Sequence, residues 1–146
     1  MEYLVFVSTA KKLMSDDELL DLLQSARLKN TENNITGMLL YSDGTFMQVL
    51  EGEKEDLRRV YNFIQADLRH RNIIVMATGI LNERIFSKWS MSFASVNADV
   101  LELMEGYLNP AFIKFTNDVD SHPTVTMIKT FADSNRLSTP VLTLFN

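Results

Sequence analysis

The sequence predicts one α+β domain, a five-stranded mixed sheet with two helices on one face and a helical cap at the C-terminus. Three observations lead there. Strand-length runs occur at 3–8, 35–41, 45–50 and 72–81, with a short fifth at 90–95. Two stretches with helical spacing fall between them, at 15–30 and 53–68. A Ser42-Asp43-Gly44 turn joins the middle pair of runs.

The first run, Tyr3-Leu4-Val5-Phe6-Val7-Ser8, is apolar and β-branched, as a strand buried on both faces requires. Ser15 can cap a helix, Glu18 stands three residues on, and Asp16 and Asp17 suit the helix N-terminus. Leu19, Leu20, Leu22, Leu23, Ala26 and Arg27 continue that helix to about Asn30, and Thr31 to Asn34 break it. Ile35–Tyr41 and Thr45–Leu50 form an antiparallel hairpin about the Asp-Gly signal, closed by Glu51-Gly52. Leu57, Val60, Tyr61, Ile64 and Leu68 share one face of the second helix. The order β-α-β-β-α-β is the ferredoxin-like pattern. Beyond Asn97 the character changes: 98–107 and 122–133 read as short helices of a cap, so the division is 1–96 and 97–146.

Composition removes several functions. A formal charge of −5 lacks the basic surplus of generic nucleic-acid binding. Without cysteine there is no disulfide, thiolate metal site or cysteine nucleophile. No stretch approaches the roughly 20 apolar residues of a membrane helix, and the N-terminus is no signal peptide. The expectation is a cytoplasmic protein with no membrane or direct nucleic-acid partner.

Enzymatic motifs are scarce: G-x-G-x-x-G, the P-loop and G-x-S-x-G are all missing. His70 and His122 lack ligand spacing. Asp67 and His70 could form an acid/base pair, but a surface cap and ion pair is the commoner use of such residues. The acids at 16–18 are better explained by the helix N-terminus than by a metal. The informative segment is 30–48. Asn30, Asn33 and Asn34 crowd a helix end. Gln48 alternates with Phe46 and Leu50, which places its amide in the interior beneath the helices. Such an amide either pairs with backbone or Asn30, or faces the polar edge of a ligand; unpaired, it costs about 1–3 kcal/mol. Trp89 and Met91 share a face, and packing is their commoner role.

Together these residues resemble the BLUF family of flavin-binding blue-light sensors. The matching text is NITGMLLYSDGTFMQVLEGE at 34–53, DLRH at 67–70 and ERIFSKWSM at 83–91, within a resemblance over about residues 3–95. The C-terminal helices are similar to those of the short stand-alone members, and no fused cyclase or phosphodiesterase is expected in this chain. The resemblance implies non-covalent FAD, with FMN or riboflavin as alternatives. It puts Gln48 at the flavin N5 and C4 carbonyl edge and Asn30 on the pyrimidine side. Asp67, Arg69 and His70 fall near the ring's polar end, and Leu22, Ile35 and Ile64 line it. Trp89 or Met91 neighbours the glutamine. The family's first-strand tyrosine, in patterns such as L-x-Y-x-S, is Phe6 here, either an engineered change or a divergent member. Phe6 lacks the hydroxyl that orients the glutamine and the phenol that gives up an electron and a proton, which implies an impaired photocycle. Tyr3 falls on the opposite face.

The implied function is light-driven hydrogen-bond rearrangement around Gln48, passed to a downstream protein partner by a homo-oligomer without enzymatic activity of its own. The alternatives are a flavin-free ferredoxin-like interaction domain and a small flavin-dependent oxidoreductase. The last has no nicotinamide motif to support it.

Overall fold

The computed structural model describes residues 1–87 and 122–134, together with the backbone of 92–95. The elements are β1 (Glu2–Ala10), α1 (Asp16–Glu32), β2 (Thr36–Ser42), β3 (Thr45–Gly52), α2 (Lys54–Ala66), β4 (His70–Ile80), β5 (Ser92–Ser95) and α3 (Pro123–Ser134). The strand order is β4-β1-β3-β2-β5. Neighbours among the first four strands are antiparallel, and β5 runs parallel to β2. Strand β3 is thus inserted between the parallel pair β1 and β2, and β1 between β3 and β4. These are two interleaved β-α-β crossovers, the ferredoxin-like arrangement.

Local chemistry sets the ends of these elements. Ser15 Oγ accepts from the Glu18 N–H and the Ser15 N–H donates to Glu18 Oε1, both at 3.2 Å, which completes a capping box. That backbone N–H is the main reason the Glu18 carboxyl lies below the usual carboxylate range. Helix α1 runs to Glu32, beyond the expected break at Thr31. Asn33 stops it by donating from Nδ2 to the Lys29 carbonyl at 2.8 Å. Asn30 therefore lies within the last turn. Asp43 (φ 43°) and Gly44 (φ 91°) are both left-handed, the geometry of a two-residue turn matched to the twist of β2 and β3. Gly37 is required for closeness: a Cβ there would collide with the Val49 carbonyl.

Helix α2 is shorter than its periodicity predicts. It ends at Ala66, and Asp67 turns extended at φ −72°, ψ 120°. Leu68, expected on the core face, is 77% exposed, because the chain has already left the helix to enter β4 at His70. Strand β4 begins two residues before the expected Asn72.

The sheet buries both faces. On one, Phe6, Leu39, Phe46 and Leu50 pack with Leu19, Leu22 and Leu23 of α1 and Leu57 and Val60 of α2. On the other, Val5, Met38, Leu40, Met47 and Val49 pack with Ile128 and Ala132 of α3. The segment 122–133, expected as a helix, is α3; 98–107 lies outside the described residues. Edge strand β4 leaves Ile74, Val75, Met76 and Ile80 exposed. Its pairing with β1 shifts register twice, between Val5 and Phe6 and between Val7 and Thr9.

Candidate functional site

Strand alternation sends Gln48 toward the helices, between Phe6 of β1 and Leu39 of β2, its directly paired neighbours. It is buried, and it forms part of a cleft of about 320 Å³ between α1 and α2. Leu22, Ala26, Phe46, Val60 and Ile64 give this cleft apolar walls, and Asn30 and Gln48 place amides in it. Asn30 is only 1% exposed, and its carbonyl accepts from the Ile35 N–H at 2.8 Å. The Gln48 amide makes no hydrogen bond among the described residues, so neither the backbone nor Asn30 satisfies it.

The polar end of the cleft comes from the turn between α2 and β4. Asp67 does not pair with His70. Its carboxylate accepts from Arg69, with Nη2 to Oδ2 at 2.6 Å and Nε to Oδ1 at 2.9 Å, and from the Arg69 N–H at 2.9 Å. The Arg69 guanidinium holds the Asp67 carboxyl below the usual carboxylate range, and the same hydrogen bond raises Arg69. Arg69 Nη2 also reaches across to Ser25 Oγ of α1 at 3.2 Å. His70 is buried between β1 and α2, with Nε2 2.6 Å from the Ile64 carbonyl and Nδ1 2.8 Å from Ser8 Oγ. A carbonyl only accepts, so Nε2 carries the proton. In the neutral ring Nδ1 then accepts from the Ser8 hydroxyl.

The fold thus gathers Leu22, Asn30, Gln48, Ile64, Asp67, Arg69 and His70 around one cleft. Ile35 is not on its wall. It is buried in the core against Gly52. Phe6 also lies behind the wall, fully buried, its ring edge-to-face with Tyr61 at 5.7 Å. Tyr3 is on the opposite face, in edge contact with His122 at 4.7 Å. Trp89 and Met91 lie outside the described residues.

Sequence reasoning passed over Ser25, Lys29 and Phe63, which also line the cleft. Their signal was spacing, since Ser25 and Lys29 fall one turn apart on the α1 stripe that contains Leu22 and Ala26. It also passed over Glu51, fully buried on the α3 side of β3. The Glu51 carboxylate accepts from the Ile85 N–H at 2.6 Å, the Phe86 N–H at 2.9 Å and the Thr36 hydroxyl at 2.8 Å. Arg84 donates to the Glu51 and Asn34 carbonyls, at 2.9 and 2.8 Å. Its signal was parity, because Glu51 shares a face with Met47 and Val49.

Known proteins share both sequence and fold with this chain. The profile of the family described as BLUF, sensors of blue-light using FAD, matches residues 1–92. Photoactivated adenylate cyclase subunit alpha of Euglena gracilis is 36% identical over 90 residues, 62% of this chain and 9% of that protein. The blue light- and temperature-regulated antirepressor BluF of Escherichia coli (strain K12) is 32% identical over 71 residues, 49% of this chain and 18% of that protein. The solved photo-activated state of BlsA has a TM-score of 0.64 at 30% identity, covering 89% of this chain and 92% of its own. The chain spans about a tenth of the length of the cyclase subunits it matches.

Proposed function

The chain belongs to the BLUF family, sensors of blue light using FAD, and from that premise we propose that it holds a flavin non-covalently in the α1–α2 cleft and reports illumination through Gln48. The observation that carries this reading is the Gln48 amide, which opens into the cleft with no hydrogen bond to another described residue. An amide that opens into a cleft is paired by water or by whatever occupies the cleft. A ligand with a polar edge does so.

The residues fit such a ligand. The cleft, at about 320 Å³, matches the small end of the roughly 300–1,000 Å³ of small-molecule sites. Apolar walls suit a flat aromatic ring, and two amides suit its polar edge. When bound, flavin supplies blue absorption and an excited state that accepts an electron. Asn30 orients the imide edge. Gln48 offers a donor at one end of its amide and an acceptor at the other, so rotation exchanges them and provides two arrangements. Asp67, Arg69 and His70 hold the polar end of the site.

Phe6 preserves the shape of the wall behind Gln48 but brings no hydroxyl to orient the amide and no phenol to give up an electron and a proton. The proposed photocycle is therefore impaired in this chain. Trp89 and Met91 are proposed as neighbours of Gln48. In this reading residues 1–96 sense and residues 97–146 pass the state on, to a protein partner in the cytoplasm, from a homo-oligomer with no catalytic step of its own. No helix among the described residues is long and apolar enough to cross a membrane. The whole-protein activities of the longer relatives are not assigned to this chain.

The test is the colour of the purified protein, with heat release and chromatography to identify the pigment. Yellow protein with one flavin per chain is the expected outcome. Colourless protein that cannot be reconstituted with FAD sinks the reading.

A further inference from the structure

Asn30 and Gln48 reach the cleft from different segments, α1 and β3, and one side chain off the cleft ties those segments together. Arg84 is not on the cleft wall. Its Nη2 donates at 2.8 Å to the carbonyl of Asn34, four residues after Asn30. Its Nη1 donates at 2.9 Å to the carbonyl of Glu51, three residues after Gln48, and at 2.9 Å to Thr36 Oγ1. Thr36 and Glu51 are directly paired across β2 and β3. None of these three acceptors is a carboxylate, so the planar fork of the guanidinium serves here by its geometry.

The link to Asn30 runs through a single peptide unit. The Asn34 carbonyl that accepts from Arg84 belongs to the same peptide as the Ile35 N–H, which donates to the Asn30 carbonyl at 2.8 Å. In a trans peptide these two groups point in opposite directions, so the unit stands between Arg84 and Asn30 with both ends bonded. Asn34 itself is left-handed, at φ 57°, a conformation that a residue with a side chain keeps only where its surroundings hold it. Rotation of this peptide would break both hydrogen bonds at once. Arg84 is in turn held in place. The Ile85 and Phe86 N–H groups that follow it donate to the Glu51 carboxylate at 2.6 and 2.9 Å, and the Thr36 hydroxyl joins that carboxylate to the guanidinium.

We propose that Arg84 is a positioning residue for Asn30: by fixing the 34–35 peptide from outside the cleft, it sets where the last turn of α1 holds the Asn30 amide relative to Gln48. The proposal rests on the reading of the cleft as a flavin site. It assigns part of the ligand affinity to a side chain that touches no ligand and acts only through Asn30.

The test is a double-mutant cycle on the flavin-stripped full chain, titrated with FAD and read by flavin fluorescence, with circular dichroism on every variant. Arg84→Met removes the donors and keeps an apolar stem. Arg84→Met and Asn30→Ala are each expected to weaken FAD binding about tenfold, and the double variant by about tenfold as well, because both remove the same interaction. In the flavin-free chain the Ile35 amide should exchange with solvent about tenfold faster in Arg84→Met than in the parent. Should Arg84→Met not fold, Arg84→Lys takes its place. It keeps the charge but not the fork, and its smaller loss of affinity should again vanish in the Asn30→Ala background. Undiminished affinity in the Arg84 variant overturns the proposal, as does a loss of about a hundredfold in the double variant. So does unchanged exchange at Ile35. A parent that binds no FAD overturns the flavin reading and the proposal together, and is distinct from a parent and an Arg84 variant that bind equally well.

Discussion

Gln48 and Glu51 are two buried polar side chains on the same strand, three residues apart and on opposite faces of the sheet. On the α3 side, Glu51 has its carboxylate filled by two backbone N–H groups and a hydroxyl, all within 2.9 Å. On the helix side, Gln48 opens into a cleft and finds no hydrogen bond among the described residues. One polar group completes the protein's own structure; the other faces the cleft. Burial alone does not separate an anchor from a binding group. The account of each hydrogen-bonding atom does.

The largest effect expected from this contrast is on the completed side. Glu51→Ala strips acceptors from the Ile85 and Phe86 N–H groups and the Thr36 hydroxyl, and should lower stability by about 3 kcal/mol or more in chemical denaturation. Gln48→Leu should cost less than about 1 kcal/mol, since no described group loses a partner. Equal losses from the two substitutions would erase the distinction between them.

The next effect concerns the cleft. Asn30→Ala should weaken flavin retention about tenfold, because the imide edge loses a partner in a cleft with mainly apolar walls. Gln48→Leu should keep most of the flavin and lose any light-dependent spectral change. Equal flavin occupancy in the two purified variants would count against the separate roles of the amides.

Phe6→Tyr tests the comparison from the other direction, since Phe6 is directly paired with Gln48 across β1 and β3. A hydroxyl there offers the amide a partner from the protein itself. Stability should change by no more than about 1 kcal/mol. The light-minus-dark spectrum should gain a slowly reverting red shift that the parent chain lacks. A parent chain with a full red shift, or a Phe6→Tyr chain that binds flavin and stays unresponsive, would remove Phe6 from the account.

The smallest effect lies near Glu51. Burial lowers His122 below the ordinary imidazole value of 6.5, and Glu51 opposes this. Its Nδ1 accepts from the Thr124 N–H at 3.1 Å, an interaction that a protonated ring gives up. The folded state therefore disfavours the cation. The contribution of His122 is fully present above pH 6.5 and is lost as pH falls through the lower folded value. The denaturation midpoint should fall slightly between about pH 7.5 and 5.5, and the fall should shrink in His122→Gln. An identical slope in both chains would discount the histidine.

What could be read before folding was local or periodic. The Ser15 cap and the Asp43-Gly44 turn depend on residues within a turn of each other. The burial of Gln48 beneath the helices follows from alternation with Phe46 and Leu50. The rest depended on contacts between distant segments. Glu51 looked like the end of a hairpin, because its donors at 85 and 86 come from the far side of α2 and β4. Ile35 is as apolar as Leu22, yet only packing decides that one lies against Gly52 and the other on the cleft wall. Leu68 kept the α2 periodicity, but the need to enter β4 stopped the helix before it.

The two register shifts along β4 bear on how this chain behaves at high concentration. An apolar edge with Ile74, Val75 and Met76 exposed is a template on which another polypeptide can add a strand. Here the template is broken. Val5 pairs with Ala77 and Phe6 with Val75, so Met76 has no partner across the ladder. Farther on, Asn72 adopts φ 55°, where a second residue is accommodated. Each irregularity bends and twists the strand locally, so an incoming chain could keep in step over only a few residues before its hydrogen bonds lost alignment. The edge that looks most prone to fibrous growth is thereby made a poor seed for it.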